Sequence, residues 1–88
     1  MNYKYKIEFH KDVFKDFEKI KSVGSLYKKA KTILKLLENN PFENPPVFEK
    51  LQGDLKGLYS RRLNLSHRIV YKIEKKTVKI LSMWSHYE

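Results

Sequence analysis

Five residues in this chain have side chains suited to phosphoryl chemistry: Glu49, Arg62, Arg68, His86 and Tyr87. Metal-free cleavage of RNA needs a base for the 2′-hydroxyl proton and a cation for the charge that builds on phosphorus. It also needs an acid for the departing 5′-oxygen and a support that holds the base in place. Glu or His can serve as base, and His as acid because it titrates near neutral pH. Arg suits the phosphoryl oxygens, and Tyr can stack on a base or donate a proton. The same residues also read as a solvated loop acid, surface cations and a histidine at the chain end, and residue types alone do not separate the two readings.

Other chemistries fit less well. Cysteine is absent, so no disulfide framework or thiolate metal site can form. The three His, at 10, 67 and 86, do not have zinc-ligand spacing, and no metal or other cofactor is expected. Gly53-x-x-x-Gly57 lacks the Lys-Ser/Thr and the preceding strand of a phosphate-binding loop.

Charge narrows the partner class. Nineteen Lys plus Arg against ten Asp plus Glu leave a net +9 on 88 residues. The excess is spread: residues 1–44 carry ten basic and six acidic side chains, and residues 45–88 carry nine and four. A basic globule of this kind attracts polyanions, either nucleic acid or an acidic protein; a solubilising Lys-rich surface is the plainer reading. All three Arg, at 61, 62 and 68, fall within eight residues, in a chain that otherwise uses Lys. That clustering suggests a need for the planar fork, which makes bidentate contacts to phosphate or carboxylate.

The elements that must position these residues follow from hydropathy period. "NYKYKIEFH" alternates, with Tyr3, Tyr5, Ile7 and Phe9 on one face, and predicts a half-buried strand. "KDVFKDFEKIK" shifts to a helical stripe of Val13, Phe14, Phe17 and Ile20. Gly24 is expected to stop that helix and Ser25 to cap the next. The second helix has a longer stripe, Leu26, Ala30, Ile33, Leu34 and Leu37, and ends at "NNPF". Residues 39–57, with three Pro and two Gly, predict a long ordered loop. "GLYSRRLNL", "HRIVYKIE" and "TVKILSMWSHY" predict three strands joined by short hairpin turns.

The expected architecture is α+β, in the order β-α-α-β-β-β, with two helices on one face of a small, mostly antiparallel sheet. The first strand is expected to pair inside the later meander. Eighty-eight residues suit one domain spanning 1–88. Apolar runs of three residues or fewer predict a soluble intracellular protein with no membrane partner.

The C-terminal half adds a resemblance. "NPF", "FEKL", "GLYSRR", "HRIVY" and a terminal "HY", in this order and spacing, resemble the Txe/YoeB branch of the RelE/ParE toxin superfamily. The N-terminal half matches only in its strand–helix–helix pattern. The resemblance implies a ribosome-dependent mRNA endonuclease that acts in the A site and stops translation in the cytoplasm. The implied reaction leaves a 2′,3′-cyclic phosphate and a 5′-hydroxyl. The implied partners are a cognate YefM-like antitoxin, mRNA and the ribosome with its rRNA, and a homodimer is compatible.

Carried over by position, Glu49 is similar to the family's general base and Arg68 to its transition-state cation. His86 is similar to the general acid and Tyr87 to the substrate-contacting phenol. Arg62 matches an active-site arginine. Arg61, Lys50, Gln52 and Tyr59 complete the expected substrate-binding set. Gln52 stands where many members have Lys, and Tyr59 where Trp is common. Glu88 has no counterpart; placed beside His86, it and the α-carboxylate would favour the imidazolium. Two other readings remain: a non-catalytic basic module that binds RNA or the ribosome, and the gyrase-inhibiting branch, which lacks the Glu/Arg/His set.

Overall fold

The computed structural model describes residues 4–44 and 47–85, with Ser85 described in its backbone only. The order is β1 (Lys6–Phe9), α1 (Val13–Lys21), α2 (Gly24–Asn39), β2 (Phe48–Lys50), a 3-10 turn (Gly53–Leu55), β3 (Tyr59–Arg62), β4 (Arg68–Glu74) and β5 (Thr77–Ser85). The helix stripes are buried where the 3.6-residue period places them: Val13 and Ile20 from α1, and Leu26, Ala30, Ile33 and Leu37 from α2. They pack on Leu63, Ile69, Tyr71, Val78, Ile80 and Met83 of the sheet to form one core. Fully burying an aliphatic side chain contributes about 1.5–3 kcal/mol, so this contact holds the two layers together. No helix among the described residues is long and apolar enough to cross a membrane.

The break between the helices differs from expectation. Gly24 is the first residue of α2, and Ser25 does not cap it. Val23 precedes the helix in an extended conformation, with φ −121° and ψ 100°. The α1 end is closed by Ser22, whose hydroxyl donates to the Lys19 carbonyl at 2.6 Å. One extended residue suffices for the turn, and a β-branched valine adopts it readily, so no left-handed glycine is required.

The sheet runs β1-β5-β4-β3-β2. β1 lies at the edge and pairs parallel with β5, Lys6 opposite Thr77 through Phe9 opposite Ile80. It does not enter the meander. The β4–β5 and β3–β4 hairpins use one flank each of their strands, which leaves the outer flank of β5 as the open position. β1 takes that position in the parallel sense, and α1 and α2 then carry the chain across to β2 at the opposite edge.

The segment expected to be a loop contains β2, antiparallel to β3 with Glu49 opposite Ser60. Three residues are too few for a period to show in sequence. Gly53 (φ 65°) and Gly57 (φ 95°) turn the chain back into β3, in the region where L-residues with a Cβ are strained. The Leu51 N–H then bonds the Leu58 carbonyl at 2.9 Å.

Candidate active site

Side-chain alternation sorts the candidate residues onto two faces of the sheet. Glu49, Ser60, Arg62 and Arg68 share one face across β2, β3 and β4. Phe48, Lys50, Tyr59, Arg61 and Tyr71 point to the other, which carries the core. A one-residue offset in β3 therefore separates the two members of the "SRR" arginine pair.

On the first face, Arg68 is the hub. Its Nη1 donates to Glu49 Oε1 at 2.7 Å and to Ser60 Oγ at 3.2 Å. The Arg68 side chain is 10% exposed and that of Glu49 52%, so the cation is embedded while its carboxylate partner faces solvent. Charge-assisted bonds of this length are the strong class. They fix the fork with further N–H groups directed by the buried stem, and leave Glu49 reachable by a ligand. A cavity of about 180 Å³ opens here, lined by Lys29, Val47, Glu49, Ser60 and Arg62. Lys29 and Arg62 add positive charge to a space that already holds the Glu49 carboxylate, which the Arg68 guanidinium grips. Such a set can bind a phosphodiester and accept a proton beside it. No cluster of His, Cys, Asp or Glu able to hold a metal occurs among the described residues.

β5 reaches the same place from the other side. Ser85 pairs with Arg68. The expected roles of His86, Tyr87 and Glu88, and the expected order of the terminus, lie outside the described residues.

These features gain a name from comparison. The family profile described as YoeB-like toxin of bacterial type II toxin–antitoxin system matches residues 9–87. The chain belongs to this toxin family. It is 32% identical over 84 residues to the Toxin YoeB of Mycobacterium bovis, covering 92% of this chain and 96% of that one. The solved YoeB dimer from Staphylococcus aureus superposes with a TM-score of 0.82 at 34% identity, covering 96% and 99% of the two chains. The YoeB–YefM complex from the same organism gives 0.80 at 34% identity, with 94% and 98% covered. The α+β architecture expected from the sequence is thus the fold of the YoeB toxins.

Among the residues expected to bind substrate, the structure brings Arg62 to the cleft with Glu49 and Ser60. It does not bring Arg61. Arg61 is 1% exposed, and its guanidinium donates to the Pro41 carbonyl at 2.9 Å, the Glu43 carbonyl at 2.8 Å and Tyr71 Oη at 3.1 Å. It also lies 5.1 Å from the Phe48 ring centre. Arg61 is a structural brace that ties the loop after α2 to the sheet. The expectation of a substrate contact there is corrected: the strand offset turns this side chain into the core.

Tyr59 likewise stacks on Tyr71, with ring centres 5.8 Å apart, and meets Phe42 and Phe48 edge-on. It forms part of an aromatic cluster on the core face. Lys50 and Gln52 are exposed near the end of β2 and do not line the cleft.

Three cleft residues lie outside the set expected from sequence: Lys29, Val47 and Ser60. Ser60 supplies the second oxygen for Arg68, and Lys29 comes from α2, twenty positions before Glu49. Both are brought in by tertiary packing, and a Lys among many on an amphipathic helix gives no distinguishing signal. A groove of about 920 Å³ between β1 and α2 holds none of the candidate residues.

Tyr71 gives a test of the brace that does not involve the cleft. Burial pushes its phenol pKa up; the Arg61 charge and hydrogen bond act against that, and Tyr59 adds to it. A raised folded-state pKa means that the neutral phenol is favoured in the fold. Its contribution is complete below the ordinary phenol pKa of about 10 and is lost as pH rises beyond it. Tyr71→Phe should therefore lose less stability than wild type between pH 9 and 11. At neutral pH it should be weaker by about 1–3 kcal/mol, because the Arg61 Nε–H loses its acceptor. Denaturant unfolding at neutral pH and from pH 9 to 11 measures both effects.

Proposed function

We propose that this YoeB-like toxin is a ribosome-dependent mRNA endonuclease that cleaves in the A site without a metal. Glu49 takes the 2′-hydroxyl proton, and the freed oxygen attacks the adjacent phosphorus. Arg68, with Arg62 and Lys29, stabilises the charge that gathers on the phosphoryl oxygens. His86 gives its proton to the 5′-oxygen as that bond breaks, leaving a 2′,3′-cyclic phosphate and a 5′-hydroxyl. Tyr87 contacts the substrate.

The observation that carries this reading is the Glu49–Arg68–Ser60 arrangement, with the residue before His86 paired to Arg68. What supports it is that the Glu49 side chain is half-exposed, the Arg68 side chain is embedded, and β5 ends at Ser85 opposite Arg68.

The Staphylococcus aureus relatives are solved as a dimer and in complex with YefM. We extend both to this chain: a homodimer, and a YefM-like antitoxin that neutralises a surface of net charge +9. The expected setting is the cytoplasm, where translating ribosomes are.

The test is cleavage of mRNA on purified ribosomes. Wild type should cut the A-site codon, and His86→Gln should cut about 10²–10⁴-fold more slowly while remaining folded. Wild-type cutting by His86→Gln would remove the acid role. Ribosome binding with no cleavage by wild type would instead favour a non-catalytic RNA-binding module.

A further inference from the structure

A general acid works only if it is held within hydrogen-bond reach of the leaving oxygen. Ser85, the residue before His86 in the chain, is the last of β5, so what fixes that end bears on the proposed acid. β5 is irregular there. Val70 pairs with Ser82 but Arg68 pairs with Ser85, so a register shift separates the two contacts. A bulge of this kind re-aims the residues beyond it.

Within the bulge, the backbone N–H of Met83 donates to Asp16 Oδ2 of α1 at 3.0 Å. Asp16 and Met83 are 67 positions apart in sequence. One turn further along α1, Lys19 lies 5.9 Å from the ring centre of Trp84. Trp84 also lies against His67, whose ring centre is 3.8 Å away and which directly precedes Arg68. Met83 itself is fully buried. Residues 83 and 84 are thus held by α1 and by the approach to β4, two positions before His86.

We propose that Asp16 is a positioning residue: its carboxylate locks the β5 bulge and so sets the direction in which β5 delivers Ser85, the residue before His86, to its place beside Arg68. The catalytic consequence rests on the endonuclease reading above; the lock itself does not. Asp16 touches neither substrate nor reacting atoms. Its effect should fall on turnover, because a displacement of about 1 Å at a reacting group can cost 10²-fold in rate. Binding to the ribosome should be unaffected.

The experiment compares Asp16→Ala, Asp16→Asn and wild type in two measurements. In amide hydrogen exchange, Asp16→Ala should expose Met83 through Ser85 while the β4 amides of Ile69 to Tyr71 keep their protection. In ribosome-dependent cleavage, Asp16→Ala should lower kcat about 10–10²-fold with KM unchanged. Asn retains an acceptor oxygen for Met83, so Asp16→Asn should restore most of the protection and most of the rate.

Wild-type protection of Met83 in Asp16→Ala overturns the lock, as does an Asp16→Asn protein that exchanges like Asp16→Ala. Uniform loss of protection across β3 and β4 also overturns it, because Asp16 would then be a general stability residue. Local exposure at Met83 to Ser85 with an unchanged kcat overturns the catalytic consequence. If wild type itself does not cleave, the endonuclease reading falls while the exchange measurement still decides the lock.

Discussion

Glu49→Gln should lower ribosome-dependent cleavage by about 10²–10⁴-fold, the usual cost of losing a general base, with little change in stability. The substitution keeps the shape of the side chain and an oxygen that can accept from Arg68 Nη1. What it removes is the capacity to take up a proton. The Glu49 side chain is 52% exposed, and an ion pair with one solvated partner contributes about 0–1 kcal/mol. Arg68 keeps the Ser60 hydroxyl at 3.2 Å as an acceptor in either protein. The melting temperature should therefore move by a few degrees while the cleavage rate collapses. Wild-type cleavage by Glu49→Gln, with a normal melting curve, would show that another group takes the 2′-hydroxyl proton.

Arg61→Ala should show the reverse pattern and lose its fold before its activity can be read. The guanidinium serves two carbonyls of the Pro41–Glu43 loop and the Tyr71 phenol. Truncation leaves all three oxygens without that donor and opens a cavity where the largest of the fully buried side chains stood. Each buried oxygen left without its donor costs about 1–3 kcal/mol, and together they are a large share of the stability of a domain this size. At about 4–8 °C per kcal/mol, thermal unfolding should begin at least ten degrees lower. Arg61→Lys should not rescue it, since one ammonium cannot span the three acceptors that the planar fork reaches. A stable Arg61→Ala protein with weakened ribosome binding would return Arg61 to the substrate-binding set.

The contrast between these two variants marks where the sequence could be read and where it could not. Hydropathy period revealed both helices, because their apolar stripes are long enough to repeat and most of those residues reach the core, although Phe14 of the α1 stripe stays exposed. The three C-terminal strands were legible as apolar segments between short turns. β2 was not, since three residues carry no period, and its place beside β3 depends on two left-handed glycines closing the turn between them. The edge position of β1 was also hidden: alternation reveals that a strand has an apolar face but not which neighbour it takes. Lys29 was one cation among many until the packing of α2 brought it to the cleft.

What the sequence by itself determined is the inventory and its chemistry: a basic chain with clustered arginines, a loop glutamate and a histidine next to a tyrosine, in motifs that match the YoeB-like toxins. Those depend on residue type and order, which folding does not alter. What only the tertiary structure decided is which of those residues meet. Arg61 and Arg62 are adjacent in the chain and equivalent in charge, and the pleat of one strand sends the first into the core and the second to the cleft. Asp16 and Met83 are far apart in the chain, and their contact exists only because α1 packs across the end of β5. Direction and distance in space arise from the packing of elements against one another, and no local pattern of residues encodes them.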